Sequence, residues 1–207
     1  MPHFYRLTSL IAASVLGLLA AACSASAVDP AQYRAYLADP AHGLTHTREV
    51  NGAVLTCTYR PTELLVLQEV GSSGSTPATR DSMARAYAGK TYCALTLARN
   101  GGEIENQFVT NPPAYQQALS YLSTGLAATA TLASATTPDS VSALTSMHLR
   151  DFGMTGHSTV LFVFDTRQLA TDGGFTVTFR DRYFGLGTQR FAFAARDLAA
   201  VPTLCFE

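Results

Sequence analysis

Leu161-Phe162-Val163-Phe164, inside the run 158–165, is apolar at every position. Successive side chains of a strand point to opposite faces, so this run predicts a strand buried on both sides, at the centre of a sheet. Working outward, residues 174–180 and 190–195 follow it as candidate strands, and residues 140–150 and 125–133 precede it. Thr136-Thr137-Pro138-Asp139, Gly153 to Gly156, Asp172-Gly173-Gly174 and Gly185 to Gly187 punctuate them. Short turns between short strands suit antiparallel pairing.

The earlier half mixes helix and strand. Asp29-Pro30 opens a helix to Ala38, because Asp accepts free N–H groups at a helix start and Pro is tolerated at the first helical position. Tyr33, Tyr36 and Leu37 give it one apolar stripe. Residues 49–59 alternate with period two and read as a strand with a turn or bulge at Asn51-Gly52. Residues 63–70 form a compact apolar run that is either a strand or a short buried helix. The loop 71–77 is rich in Gly and Ser, a helix follows over 79–89, and residues 91–99 alternate as a strand. Asn111-Pro112-Pro113 starts another helix to about Ser123, with Tyr115, Leu119 and Leu122 as its inner face. The expected fold is α+β: an antiparallel sheet of six to eight strands with two or three helices, and a partly closed β-barrel as the alternative.

The first 22 residues read as an export signal. Arg6 precedes an uncharged stretch from Leu7 to Ala22, short and rich in Ala and Ser, followed by small residues. Leu19-Ala20-Ala21-Ala22-Cys23 resembles the lipobox of bacterial lipoproteins, which implies cleavage before Cys23 and lipidation of its thiol. Leu19 stands four positions before the cysteine, where the family prefers Leu three before it. Ser24, rather than Asp, follows the cysteine, and by the same resemblance the outer membrane is the expected location. Ala25-Ser26-Ala27 is a competing site for ordinary signal cleavage, which would release a soluble secreted or periplasmic protein from Val28. On the first reading residues 23–30 are the lipid-bearing cysteine and a short tether, and 31–207 a single globular domain. The stretch from Tyr36 to Glu69 (YLADPAHGLTHTREVNGAVLTCTYRPTELLVLQE) is similar to small uncharacterised lipoproteins of bacterial envelopes, a likeness that implies an envelope location but no activity.

Composition narrows the function classes. A net charge of −1, with Lys90 the single lysine, offers no basic surface for nucleic acid and no polybasic membrane segment. The membrane is expected as a partner only through the lipid. Beyond Cys23 the cysteines are Cys57, Cys93 and Cys205, so one internal disulfide at most can form. Cys57 and Cys93, both in expected strands, are the candidate pair, and burial of all three as small hydrophobes is the competing reading. The chain has no CxxC and no Cys–His cluster, and no cofactor is implied.

Four groups of residues could carry chemistry. His42 and His46 have the spacing that places two metal ligands on one helical face, but Gly43 and Pro40 argue against a helix and no third ligand accompanies them. They read as loop histidines, and no metal is expected. His148 and His157 flank a turn containing Asp151, with Ser158 as the nearest nucleophile. The strand–elbow–helix setting of a hydrolase serine is missing, so a polar hairpin end is the plainer account. Glu103 and Glu105 would share one side of an extended segment, as a carboxylate pair or as an ordinary solvated edge. Asp181-Arg182-Tyr183-Phe184-Gly185-Leu186-Gly187 is the densest mixed segment, a ligand-contact candidate or a loop with aromatic packing. The Gly71–Ser75 loop has no Lys-Ser/Thr after it and is no phosphate loop. The resulting expectation is a lipid-anchored, non-catalytic module that binds an envelope partner. A carrier of a small apolar ligand and a small hydrolase using His148 or His157 stand as alternatives.

Overall fold

The computed structural model describes residues 27–71, 76–150 and 154–206. Nine antiparallel strands form one sheet that nearly closes into a barrel, with helices on its outside and at its ends. The strands are β1 (Thr45–Val50), β2 (Ala53–Tyr59), β3 (Lys90–Arg99), β4 (Gly102–Glu103), β5 (Ala130–Ser134), β6 (Ser140–Leu149), β7 (Ser158–Asp165), β8 (Gly174–Arg180) and β9 (Thr188–Ala194). Their spatial order is β1-β2-β3-β7-β6-β5-β8-β9, with two-residue β4 pairing on β3. The α-helices are α1 (Pro30–Ala38), α2 (Thr62–Val70), α3 (Pro77–Tyr87), α4 (Pro112–Ser120) and α5 (Ala195–Ala199). The expected α+β fold is present, and its sheet takes the partly closed barrel form that stood as the alternative.

β7 is the central strand, as its apolar run requires. It lies between β3 and β6, with Phe162 opposite Cys93 on one side and Ser146 on the other. Val160, Phe162 and Phe164 point inward and are fully buried, among Leu55, Leu95, Phe179 and Phe193. Leu161 and Val163 point outward and are covered together with Tyr92 and Ala94 by Leu65 of α2, with Tyr87 of α3 against them. Each buried Phe or Leu of this kind contributes about 1.5–3 kcal/mol through removal of apolar surface from water. The barrel interior is therefore a packed core of side chains.

Local chemistry explains most element ends. Asp29 Oδ1 accepts the N–H groups of Ala31 and Gln32 at 2.7 and 2.8 Å, and Gln32 reaches back to the Asp29 N–H, closing a capping box at α1. Tyr33 and Leu37 are buried as the stripe predicts, against Leu44, Leu64, Leu67 and Leu204. The run 62–70 resolves as helix: Pro61 blocks extension of the sheet and Gly71 stops the helix at φ 58°.

The other differences from expectation have local causes. Residues 49–59 form the end of the first strand, the turn and the second strand of a hairpin that begins at Thr45, with Asn51 and Gly52 both at positive φ in the turn. Residues 121–129 remain helical, as a wide turn and then a tight one, so the strand expected from 125 begins only at Ala130. Ala118 and Leu122, rather than Leu119, are the fully buried face of that helical stretch. A short helix, α5, follows β9 without a turn signal in the sequence. Val28, within the expected tether, is pinned by backbone bonds to Thr203 and Cys205.

Candidate functional site

The strongest polar cluster lies where β4, β6 and β7 meet. β4 leads into a tight helical turn over Ile104–Phe108, whose first residues are Ile104 and Glu105, both buried. The Glu105 carboxylate accepts the Ser158 hydroxyl proton at Oε2 in a short hydrogen bond. Its Oε1 lies 3.8 Å from His148 Nε2. Ser158 Oγ in turn accepts the Ile104 N–H at 3.0 Å. Glu105 and His148 side chains are each 3% exposed, and Ser158 is 1% exposed.

The order of contacts decides the chemistry. In an activated serine, a histidine takes the hydroxyl proton and a carboxylate orients the histidine. Here the carboxylate stands between serine and histidine, and the serine proton is directed to it. With the Ile104 N–H also bound, Ser158 has its donor and an acceptor position engaged, away from solvent. The arrangement fastens the 104–108 turn to β7 and gives a buried carboxylate the partners burial demands. It joins one member of the Glu103/Glu105 candidate to two members of the His148/Ser158 candidate.

The remaining candidates separate. Glu103 ends β4 while Glu105 sits in the tight turn, so the two do not form a pair on one extended edge, because the chain curls at Ile104. His157 lies outside the cluster, its carbonyl accepting the Thr155 hydroxyl at 3.1 Å. Asp151 and residues 72–75 fall outside the described residues, as do Cys23 and the leader. His42 stacks on Tyr36 at 3.7 Å and contacts the Tyr36 carbonyl through Nδ1 at 2.9 Å. His46, on β1, meets the Phe193 ring edge-on at 4.9 Å, so the two histidines serve different packing contacts. Among the described residues no three His, Cys, Asp or Glu side chains gather as metal ligands.

The 181–187 segment is a plug. Asp181 accepts the N–H groups of Tyr183, Phe184 and Leu186 at 2.8–3.0 Å. This folds Phe184 and Leu186 into the core. Tyr183 donates its hydroxyl to Ala114, Asn51 donates to the Gly185 carbonyl, and the Arg182 N–H binds the Tyr121 hydroxyl. The aromatic-packing account holds for this loop.

Cys57 and Cys93 stand side by side on β2 and β3 as free, buried thiols, while Cys205 is half-buried near the C-terminus. Burial, and then the hydrogen bond with Cys57, push the Cys93 thiol well above its ordinary pKa. Cys93 is therefore no thiolate nucleophile.

A second polar feature had no signal in the sequence. Arg60, placed between β2 and Pro61, turns its side chain into a groove of about 350 Å³ between α1, β2 and α2, beside Arg34 and Gln68. Its backbone N–H is fixed to the Tyr92 carbonyl at 2.9 Å. Burial lowers the pKa of its guanidinium. Comparison with family models, with curated proteins and with solved structures finds no match to this chain.

Proposed function

We propose that this protein is a lipid-anchored component of the bacterial cell envelope that binds a protein partner through the outward face of β6 and performs no chemical step itself. The observation that carries this reading is the apolar strip on β6. Leu144, Met147 and Leu149 are 61, 46 and 42% exposed, although β6 is an interior strand of the sheet. The neighbouring outward residues Leu161 and Val163 of β7 are covered by α2 and α3. Among the described residues the helical cover stops one strand short, leaving the next apolar row for another surface. Leu144 sits at a bulge between Ala143 and Thr145, which turns it outward.

Two further points support the reading. Phenylalanines and leucines fill the barrel interior, which gives an apolar ligand no room there. The Ser158 proton is committed to Glu105, which works against hydrolysis. The lipobox-like Leu19–Cys23 segment and the likeness of Tyr36–Glu69 to small envelope lipoproteins support the location, and Ser24 favours the outer membrane. Val28 is held against the C-terminal segment, so the five steps from Cys23 to Val28 would span at most about 18 Å. The domain would then ride directly on the lipid surface.

The test is photo-crosslinking in the envelope from a probe at Leu144, with a Met147→Asp, Leu149→Asp double variant as the control. One crosslinked envelope protein, lost in the double variant, is the expected result. Crosslinks only to a second copy of the chain, or none, would reject the partner. Cys23→Ser should move the protein from the membrane to the soluble fraction, and unchanged fractionation would remove the anchor.

A further inference from the structure

We propose that the groove between α1, the β1–β2 hairpin and α2 binds a small organic oxyanion, a carboxylate or phosphate head on a short apolar chain, with Arg60 holding the head group. This does not depend on the reading of β6.

The argument starts from an uncompensated charge. Arg60 is half-buried, its Nε is shielded from solvent, and that Nε has no hydrogen-bond partner among the described residues. The ion pairs formed among the described residues do not include it. A guanidinium partly withdrawn from water, with its Nε donor unmet, is less favourable in the empty protein than one paired with an anion. Its planar fork of donors matches carboxylate and phosphate oxygens two at a time.

The groove around it has the composition such a ligand needs. Arg34 supplies a second positive charge at the rim, Gln68 and Thr56 supply neutral donors, and the lining contains no Asp or Glu. Thr47 Oγ1 and Thr56 Oγ1 are 2.9 Å apart, so Thr56 can accept from Thr47 and direct its own proton into the groove. Thr45 donates to the Leu37 carbonyl at 2.7 Å and lies 3.0 Å from Thr58 Oγ1, which fixes the wall. Leu37 and Leu64 give the groove an apolar floor, both almost wholly buried. A volume of about 350 Å³ lies at the small end of ligand sites, which run from ~300 Å³ upward. Charge at the rim and hydrocarbon at the floor select an organic anion over both an inorganic one and a neutral amphiphile.

The experiment is calorimetric titration of the exported, purified protein with hexanoate, hexyl phosphate, inorganic phosphate, hexanol and vesicles containing phosphatidylglycerol. Hexanoate or hexyl phosphate should bind with one-to-one stoichiometry. Inorganic phosphate should be at least tenfold weaker, and hexanol should not bind. Arg60→Gln should weaken binding tenfold or more, and Arg34→Gln, at an exposed position where substitutions change stability little, several-fold. Without ligand, Arg60→Gln should melt at the same temperature as the parent or higher, which an arginine with only a structural role would not do. No binding by either hexyl probe, equal binding by inorganic phosphate, or binding unchanged in both variants would overturn the proposal. Binding to vesicles but to neither soluble probe would also overturn it, in favour of a membrane surface.

Discussion

Two buried serines on neighbouring strands allow the 104–108 latch to be weighed directly. Ser146 on β6 and Ser158 on β7 are 7 and 1% exposed. Ser146 Oγ has no hydrogen-bond partner among the described residues, whereas Ser158 Oγ donates to Glu105 and accepts from Ile104. The same substitution to Ala removes the same atom from both. Ser158→Ala leaves a buried N–H unsatisfied, at about 1–3 kcal/mol, and withdraws a donor from a buried carboxylate, worth about 1.5–3 kcal/mol. The two terms overlap because the turn can relax, so the net loss should be about 2–4 kcal/mol. Ser146→Ala removes only a desolvated hydroxyl and should change stability by between zero and about 1 kcal/mol in the stabilising direction.

Urea unfolding followed by far-UV circular dichroism separates the two. A domain of this size has a slope of about 2 kcal/mol per molar urea. Ser158→Ala should therefore lower the midpoint by about 1–2 M, and Ser146→Ala should leave it unchanged or raise it by up to about 0.5 M. A Ser158→Ala midpoint unchanged from the parent would refute the latch and mean that water satisfies Ile104 and Glu105 once the hydroxyl is gone. A fall in the Ser146 variant matching that of Ser158 would mean that both serines act through packing.

Three more outcomes can be measured. Gly174 opens β8 at φ +92°, and a Cβ there would meet the Phe193 carbonyl oxygen at 2.6 Å, so Gly174→Ala should destabilise by about 2 kcal/mol or more in the same urea assay, whereas Gly52→Ala, in an open turn, should lose less. The side-chain hydrogen bond from Arg167 holds the Asp165 carboxyl down to about 2. A depressed carboxylate pKa adds stability above its unfolded value that is lost as pH falls toward about 2, so an NMR titration should place the Asp165 midpoint there, and Arg167→Gln should return it to the ordinary carboxylate range. Denatured mass after export should show whether the adjacent Cys57 and Cys93 thiols have joined: a deficit of two hydrogens means a disulfide, and full alkylation without denaturant would contradict their burial.

Legibility of the fold followed locality. The α1 cap needs only Asp29, Pro30 and Gln32, and the β7 run needs only its own residues, so both could be read from the chain. Thr45 to Arg48 lack an alternating pattern because β1 is an edge strand. Its outward residues stay solvated, which hides the first half of the hairpin. Residues 125–129 look like the start of a strand because their small and apolar residues carry no helical stripe of their own. They stay helical because Leu122 and Leu126 are drawn into the barrel end together with Phe184 and Leu186.

The site residues were visible singly and misleading in their grouping. Proximity in sequence suggested Glu103 with Glu105 and His148 with Asp151, but β4 pairs with β3, which delivers the next turn across β7 to β6. That step is made by sheet topology, over 53 residues between Glu105 and Ser158. Arg60 was hidden for a related reason. Followed by Pro61 after a strand, it carries no local signal, and its meaning depends on α1 and α2 arriving on either side of it to form a groove whose lining holds no Asp or Glu. A lone charge in a sequence carries no sign of whether the fold will neutralise it. The packed neighbours reveal that Arg60 Nε lacks a partner among the described residues, so an external anion would find an unmet donor there.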